Sequence, residues 1–267
     1  MDRGIPLLYP EDLDMEHLRE EEALGEEMIR PEASGGGSFR SAQWEKSKRE
    51  FWDYARKATA DIENGAFINI GCGVDRHFTE LARAGITLVG LDIVPALLRH
   101  LKKTGRMDIG VAGAVHRLPF RDNSFDCVCC IDLIHHEWKR EKEILAGFSR
   151  ILKPGGILIV EDINAWGLGQ FYKSILLPRT VHGAMRRLYH RMKDTEHPPA
   201  EYEFPTSVFE TERILRDLDF SEITAVALES CPNAGKILYG FYRLASRLDS
   251  VRRYHNFHYM ISARKKQ

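Results

Sequence analysis

Two glycines at the end of an apolar segment are the residues of this chain best suited to binding a ligand. The segment Phe67–Ile70 runs into Gly71–Gly73, which reads Gly-Cys-Gly. A second apolar segment starts at Leu88 and ends at Asp92, about twenty residues past the glycines. Glycine lets the main chain approach a ligand where a Cβ atom would collide, and a carboxylate at the next strand end can accept hydrogen bonds from two ribose hydroxyls. The spacing predicts a nucleoside-binding strand–turn–helix–strand unit.

The residues after the glycines indicate which nucleoside cofactor is bound. Dinucleotide sites use Gly-x-Gly-x-x-Gly, because the pyrophosphate rests on the helix N-terminus and the third glycine permits close packing. Here Arg76 takes the third glycine position and Asp75 precedes it, which places negative charge where a pyrophosphate would lie. A sulfonium ligand has no phosphate and is positively charged near its amino-acid end. The loop therefore favours S-adenosylmethionine over NAD.

Composition sets the broad class of the protein. The chain has 267 residues, 43% hydrophobic content and a net charge of −1, which suit one α/β domain with additions and give no support to bulk nucleic-acid binding. We expect neither a signal peptide nor a membrane span, because no apolar run approaches ~18 residues. The cysteines are an odd set of five, three of them in one predicted strand (Cys127, Cys129 and Cys130), so reduced thiols and a cytoplasmic location are expected.

The order of apolar segments from residue 66 onward predicts the fold. It indicates a Rossmann-like α/β protein with a doubly wound, seven-stranded, mostly parallel sheet and helices on both faces, plus helical lid insertions and an N-terminal extension. The predicted strands are 66–71, 87–92, 108–113, 125–132, 156–162, 223–229 and 256–263. The predicted helices are 44–60, 76–84, 95–104, 137–152 and 207–218.

Residues 1–40 are predicted to form an acidic, partly flexible N-terminal arm. Residues 34–38 read Ser-Gly-Gly-Gly-Ser, the composition of a flexible hinge. The acidic part before the hinge can form a surface helix. Its leucines are too sparse to anchor that helix firmly: Leu13, Leu18 and Leu24.

Residues 41–267 are predicted to form the main domain. Two long excursions interrupt it, a lid insertion over 163–205 and a second inserted helix over 235–248. Excursions after strand ends usually build lids or substrate walls, because the carboxyl ends of the strands form the ligand edge. The helix predicted over 44–60 either covers the cofactor mouth or packs on the sheet, and the sequence leaves both open.

Four segments together resemble the class I S-adenosylmethionine-dependent methyltransferases, in particular the small-molecule group called methyltransferase type 11. They match the family's acid-x-Gly-x-Gly loop, its ribose-binding strand end, its Asp-Ala-x-x-Leu-Pro-Phe…Ser-Phe-Asp segment and its Leu-Lys-Pro-Gly-Gly turn. In this chain the segments are Asn69–Gly73, Leu91–Ile93, Ala114–Asp126 and Ile151–Gly156. The resemblance covers roughly residues 66–162 and implies methyl transfer from S-adenosylmethionine to a small or medium organic acceptor, leaving S-adenosylhomocysteine.

The resemblance also implies the cofactor contacts. The glycines admit the methionine part, Asp92 holds both ribose hydroxyls, Ile93 packs on the adenine face and the Val115 amide meets an adenine nitrogen. Asp132, at the fourth strand end, lies beside the sulfonium. The implied cofactor-binding residues are Asn69, Gly71, Cys72, Gly73, Asp92, Ile93, Ala114, Val115 and Asp132.

Two positions depart from the family pattern. Asn69 stands where an acid usually helps to fix the methionine ammonium, and Ala114 stands where an aspartate commonly receives the adenine amino group. The lost charge at Asn69 should weaken binding by ~1–2 kcal/mol, and the lost hydrogen bond at Ala114 by about 1 kcal/mol. The departures keep open an alternative function, that of a non-catalytic, methyltransferase-like binding protein.

Two histidines past the fourth predicted strand are the candidate catalytic residues. His135 and His136 lie where a general base could take a proton from a hydroxyl or carbon acid, and His136 is favoured for that role. Capping of the next helix and packing against the lid are the structural alternatives. Neighbouring residues rarely converge on one ion, so no metal is predicted from these histidines and Glu137.

The basic segment 179–193 leaves the substrate class open. It can be a solvated lid face, bind an anionic or lipid-like substrate, or rest on a membrane surface. Nucleic acid is not favoured, because aromatic and basic residues do not interleave as a strand-tracking groove requires. Tyr189 and Lys193 have the Tyr-x-x-x-Lys spacing of nicotinamide-dependent reductases, but the matching glycine loop is missing. The aromatic side chains of the insertions favour a small, largely apolar acceptor.

Overall fold

The fold is built on one seven-stranded sheet. The computed structural model describes residues 4–11, 13–33, 42–137, 139–167, 205–229 and 244–267. The strands are β1 Gly65–Ile70, β2 Ile86–Asp92, β3 Ile109–Ala112, β4 Phe125–Ile131, β5 Leu152–Ile163, β6 Phe220–Val226 and β7 His258–Lys265. Their order is β3-β2-β1-β4-β5-β7-β6. The first five are parallel, and β7 is antiparallel to β5 and β6. The predicted mostly parallel, Rossmann-like sheet is confirmed.

Helices cover both faces of the sheet. They are α1 Met15–Ala33, α2 Ala42–Ala58, α3 Pro95–Lys103, α4 Glu141–Ile151, α5 Val208–Asp217 and α6 Asp249–Tyr254. Strand side chains alternate between faces, so Ile68 and Val128 pack with the core that includes α4 and α5, whereas Phe67 and Cys129 pack with α2. Both faces of the sheet are therefore apolar, and helices shield both of them from solvent.

Two predicted helices are shorter than expected. The segment predicted as a helix over 76–84 is a 3-10 helix at His77–Leu81. The helix predicted over 137–152 begins at Glu141, because Lys139 adopts φ 61°, outside the helical region. A separate 3-10 turn, Ile134–His136, carries the chain away from β4.

The predicted turn before the fifth strand is instead part of that strand. β5 starts at Leu152, opposite Phe125 of β4, and includes Gly155 at φ 76°. The pairing with β4 shifts register between Phe125 and Cys127. A glycine with positive φ beside such an irregularity lets the strand bend without ending.

The N-terminal arm is anchored more firmly than its leucines predict. Leu8 and Ala112 form a backbone bond of 2.8 Å, so the first described residues lie along β3. Ile5, Leu18 and Met28 are buried, the last against α3. Leu24 is exposed, as the sparse pattern predicted. Of these anchors, only Leu18 belongs to the leucine pattern, and Ile5 and Met28 lie outside it.

Several predicted features lie outside the described residues. These include the basic segment 179–193, nearly all of the insertion 163–205 and the inserted helix 235–248 up to residue 243. Among the described helices, none has the length and apolar character that crossing a bilayer requires. The cytoplasmic location and the boundary between arm and domain stay predictions.

Candidate functional site

The glycine bend after β1 requires its two glycines. Gly71 has φ 71° and Gly73 has φ 50°, a region that residues with a Cβ seldom adopt. A Cβ on Gly71 would lie 2.7 Å from Cδ2 of Leu133, whereas one on Gly73 would meet only Met28, at 3.9 Å. Gly71 therefore allows Leu133 to pack closely against the bend. At Gly73 the space beside the main chain is open.

Asp92 turns its carboxylate towards this bend. Oδ2 accepts a 2.8 Å hydrogen bond from the Gly73 amide, and Oδ1 accepts one of 2.9 Å from the Val94 amide. Burial raises the pKa of Asp92 to about 6, although both amide bonds lower it. Thus the glycine bend and the carboxylate converge, as the nucleoside-binding prediction requires.

Asn69 presents a buried amide beside the bend. Its side chain is fully buried in β1, between Gly90 of β2 and Cys129 of β4. Neither Oδ1 nor Nδ2 has a hydrogen-bond partner in the described part of the chain. An unpaired buried amide costs about 1–3 kcal/mol, and a polar ligand would remove that cost. The donor and acceptor of Asn69 fit the amino-acid end of S-adenosylmethionine.

The expected adenine wall is bordered by the N-terminal arm. Tyr9 donates a 2.9 Å hydrogen bond to the carbonyl of Ile93, and Ile93 packs in the same cluster as Met28. Ala114 and Val115 are buried. The pKa of Tyr9 rises to about 12, chiefly through burial and then through the charges of nearby carboxylates, Glu22 and Asp92. Sequence reasoning missed Tyr9 and Met28, because no motif connects the arm to this pocket.

Helix α2 packs against the glycine loop and the end of β4. Trp52 donates a 2.8 Å bond from Nε1 to Asp75, and Trp44 donates a 3.2 Å bond from Nε1 to Asp132. Burial raises the pKa of Asp75, opposed by Lys48 and by the hydrogen bonds it accepts. The sequence left open whether this helix covers the cofactor mouth or only packs on the sheet. These two hydrogen bonds favour the covering role.

A histidine–carboxylate pair lies at the ends of β4 and β5. Nδ1 of His135 is 2.5 Å from Oδ1 of Asp162, and the His135 amide donates a 3.0 Å bond to Oδ2. Both residues are buried. His136 is half-buried, and its ring lies against that of His135 with 4.1 Å between centroids and a tilt of 38°. An orienting carboxylate is therefore beside His135, whereas the sequence favoured His136.

Asp162 was not singled out from the sequence, although a signal was present. It follows the apolar segment Ile157–Val160 almost directly, as Asp92 ends the apolar segment of β2. Carboxylates at the carboxyl ends of neighbouring parallel strands lie at one edge of the sheet. The reasoning that selected Asp92 would have selected Asp162.

The same pair belongs to a group that could in principle ligate a metal. Ligand atoms of Asp132, His135 and Asp162 all lie within 4.8 Å of one another. Both oxygens of Asp162 already accept N–H groups, however, including the Ile163 amide at 2.7 Å. Nζ of Lys48 lies 4.0 Å from Oδ2 of Asp132 and supplies positive charge. These contacts favour orientation of the imidazole over coordination of a cation.

Comparison with known proteins identifies a domain type. The family model for the methyltransferase domain matches residues 68–160. A ubiquinone biosynthesis O-methyltransferase of Xanthomonas oryzae is 29% identical over 142 residues, which are 49% of this chain and 59% of that protein. A demethylmenaquinone methyltransferase of Renibacterium salmoninarum is 34% identical over 115 residues, 43% of this chain and 48% of that protein. The chain thus spans about half of these curated relatives.

Solved structures agree on the fold. A SAM-dependent methyltransferase from Archaeoglobus fulgidus superposes with a TM-score of 0.53 at 16% identity, over 89% of this chain and 98% of the other. The [4+2]-cyclase SpnF gives 0.59 at 16% identity over 98% of both chains. A methyltransferase and a cyclase therefore share this architecture, and the reaction has to be argued from the site.

Proposed function

We propose that this protein is a class I S-adenosylmethionine-dependent methyltransferase and transfers a methyl group from that cofactor to a small organic acceptor. One observation carries the proposal: Asp92 holds the Gly73 amide of the bend, and the buried amide of Asn69, just before the bend, has no hydrogen-bond partner among the described residues. A carboxylate suits ribose hydroxyls, and the Asn69 amide suits the zwitterionic end of the ligand. Bound S-adenosylmethionine supplies a methyl group activated by a sulfonium.

His135 is the general base in this proposal, with Asp162 as its positioning residue. A carboxylate only accepts hydrogen bonds, so Nδ1 of His135 carries the hydrogen directed at Asp162. The other ring nitrogen, Nε2, then takes the proton from the acceptor. A base is required when the acceptor is a hydroxyl or a carbon acid. We therefore propose His135 where the sequence alone favoured His136.

The relatives support an oxygen acceptor. The Xanthomonas relative is named for O-methylation in ubiquinone biosynthesis, and a hydroxyl is a group whose proton a histidine base removes. The proposed acceptor is accordingly a small, largely apolar molecule with an ionisable hydroxyl, and the proposed product of the cofactor is S-adenosylhomocysteine.

Calorimetric titration with S-adenosylmethionine, S-adenosylhomocysteine and NADH tests the cofactor assignment. We expect both adenosyl ligands to bind and NADH not to bind, because Asp75 and Arg76 replace the pyrophosphate-binding pattern. Binding of NADH alone would support the reductase alternative. If none of the three binds, the methyltransferase proposal is wrong.

A turnover assay separates an enzyme from a non-catalytic binding protein. The protein is incubated with labelled S-adenosylmethionine and an extract of its source organism, and products that gain one CH₂ unit are sought by mass spectrometry. Asn69 and Ala114 motivate the non-catalytic alternative, and cofactor binding without any methylated product would favour it. A labelled product that is absent from a heat-inactivated control would support catalysis.

A further inference from the structure

A chain of buried hydroxyl groups lies on the same face of the sheet as Asp162. Tyr259 of β7 is fully buried, and its hydroxyl oxygen lies 2.8 Å from Oγ1 of Thr206 and 2.9 Å from Oγ1 of Thr211 in α5. Thr211 donates a hydrogen bond to Oε1 of Glu141, the first residue of α4. Tyr259 is also the register partner of Asp162, so their side chains are neighbours on that face. The chain of hydroxyls therefore leads from Glu141 to the ring beside the carboxylate that orients the proposed base.

The hydrogens of this chain can all point towards Glu141. An ionised carboxylate only accepts hydrogen bonds, so the Thr211 hydrogen is directed at Glu141. The Thr211 oxygen can then accept from Tyr259, whose own oxygen accepts from Thr206. Aligned hydroxyl dipoles of this kind stabilise a negative charge at the end to which they point. The arrangement is thus suited to a Glu141 side chain that carries its charge.

The charges of Glu141 and Asp162 act on each other. Burial raises the pKa of Glu141 to about 7, the Thr211 bond opposes that rise, and the charge of Asp162 adds to it. Burial also raises the pKa of Tyr259 well above its usual range, and the charges of both carboxylates contribute. An electrostatic effect of this kind is mutual. A charge on Glu141 must therefore act on the buried pair that Asp162 forms with His135.

Glu210 of α5 is a further acid that acts on Glu141. Its side chain is 44% exposed and accepts a 2.9 Å hydrogen bond from Nε of Arg213, so its partner and the solvent screen its charge. Asp162 and His135 are both buried, where screening is weak. Glu210 thus carries the same charge as Glu141 but lies outside the buried cluster, which makes it a suitable control.

We propose that Glu141 is a positioning residue of the reaction centre, whose carboxylate charge helps His135 to hold the proton taken from the methyl acceptor. The proposal rests on the proposed function, in which His135 is the base. When that base takes a proton it becomes a buried cation, and both Asp162 and an ionised Glu141 stabilise it. Protonation of Glu141 removes one of these charges, so His135 becomes a weaker base.

The substitution Glu141→Gln tests the charge without removing the hydrogen bond. The amide oxygen of glutamine still accepts from Thr211, so a purely structural role of Glu141 would be preserved. The titration of His135 is followed by ¹⁵N spectra of the histidine rings in the full ligand-free chain, with its signal assigned by its absence in His135→Gln. We expect Glu141→Gln to lower the midpoint of that titration by roughly 0.5 pH unit or more, as the loss of a weakly screened charge implies. An unchanged or raised midpoint would overturn the proposal.

Glu210→Gln is the matched control, because it removes the same charge at the exposed position. Its effect on the His135 midpoint should be much smaller, since Arg213 and solvent already screen that charge. Glu141→Asp retains the charge and should keep the midpoint close to the wild-type value. If Glu210→Gln lowers the midpoint as much as Glu141→Gln does, the effect is not specific to the buried cluster and the proposal is wrong.

A measurement on the wild-type protein keeps the test independent of whether the variants fold. ¹³C spectra of the glutamate side chains should show a carboxyl that titrates near pH 7, where burial places the pKa of Glu141, and not near the ordinary value of 4.5. If every glutamate titrates near its ordinary value, Glu141 does not lie in a buried cluster and the proposal fails.

Turnover links the charge of Glu141 to the reaction. In the labelled assay, Glu141→Gln should be slower than wild type well above pH 7 and equal to it well below that value, where the wild-type side chain is protonated. Equal rates at every pH would contradict the proposal. Titration of S-adenosylhomocysteine reports separately on the proposed function. A protein that binds this ligand, but whose His135 midpoint does not respond to Glu141→Gln, keeps the proposed function and refutes only this inference.

Discussion

At the scale of single residues, the site depends on carboxylates that the sheet holds in place. Asp92 fixes the glycine bend through the Gly73 amide, and Asp162 fixes the ring of His135. Each ends or nearly ends a parallel strand, where side chains of neighbouring strands meet at one edge. The chemistry of the site thus follows from where apolar strands stop.

Asp92→Asn should weaken binding of S-adenosylhomocysteine by about 10- to 100-fold, because bonds from ribose hydroxyls to a charged acceptor are worth about 1.5–3 kcal/mol. The wild-type affinity should also fall as the pH is lowered through about 6, where burial places the pKa of Asp92. The variant has no carboxylate to protonate and should lose that dependence. Calorimetry on both sides of this pH checks both statements, and a pH-independent wild type would contradict the ribose assignment.

In the ligand-free protein, Asp92 should affect folding stability with the opposite dependence on pH: its contribution to stability should fall as the pH rises. The pKa of Asp92 is raised in the folded state from 3.8 to about 6, so the folded state binds the proton more tightly than the unfolded chain. The contribution of Asp92 to stability is therefore full below about pH 4 and is lost as the pH rises through about 6. Chemical denaturation of wild type and Asp92→Asn over this range should show a difference that grows with pH in favour of the variant.

The two adjacent histidines offer a matched pair for the catalytic assignment. His135→Gln should lower turnover by about 100-fold or more, the usual contribution of a general base, with the affinity for S-adenosylhomocysteine nearly unchanged. His136→Gln is the control and should retain most activity, because in this proposal the proton is taken by His135, which Asp162 orients. The turnover assay of both variants decides between them. Greater loss in the His136 variant would restore the assignment favoured from sequence.

At the scale of elements, α1 and α2 make the pocket more closed than the motifs suggest. Both flank the glycine bend, α2 through Trp52 on Asp75 and α1 through Met28 near Gly73. The strand–loop–strand frame was predictable because alternating apolar runs and glycines act locally. The covering role of α1 was not, because it depends on contacts with residues far along the chain, such as Val94.

Two helical glycines test how tightly α1 is seated. A Cβ on Gly25 would lie 2.9 Å from Cγ1 of Val94, whereas one on Gly147 in α4 would meet only Leu118, at 3.4 Å. Alanine is otherwise favoured over glycine in a helix by about 0.5–1 kcal/mol. Gly147→Ala should therefore raise the free energy of unfolding by about that amount.

Gly25→Ala should instead displace α1 from α3. We expect faster hydrogen exchange in α1 and weaker binding of S-adenosylhomocysteine, because α1 carries Met28 to the bend. Hydrogen-exchange mass spectrometry of the two variants provides the comparison. Equal protection of α1 in both would mean that this helix is not seated against Val94 as described.

At the scale of the whole molecule, the sequence predicted the sheet. It did not predict how the N-terminal arm and the other segments outside the sheet pack against it. Apolar segments of β1, β2, β4 and β5 are buried on both faces, so their pattern is strong. The 3-10 helix His77–Leu81 shows where local reasoning ends, since its buried Phe78 and Leu81 suit both a helix and a tighter turn. Glu141 was not identified because its hydrogen bond with Thr211 joins α4 to α5, at residues 70 positions apart.

Buried thiols can report separately on the arm and on the sheet. Cys129 and Cys130 lie inside β4, and Cys72 lies in the bend, in a cluster with Ile5 of the arm. Burial raises the pKa of all three thiols well above the usual range, so alkylation requires opening of the structure. In timed labelling with N-ethylmaleimide, read by mass spectrometry, Cys72 should react first and Cys129 only with global unfolding.

The variant Gly25→Ala and the ligand make this labelling experiment decisive. Loosening α1 should speed the reaction of Cys72 and leave the rate at Cys129 close to that of wild type, because only the arm is displaced. S-adenosylhomocysteine should slow Cys72, since a ligand that binds the closed state draws the protein away from the open one. Equal rates at Cys72 and Cys129 under all conditions would show that arm and sheet open as one cooperative unit, and that the arm does not control access to the bend.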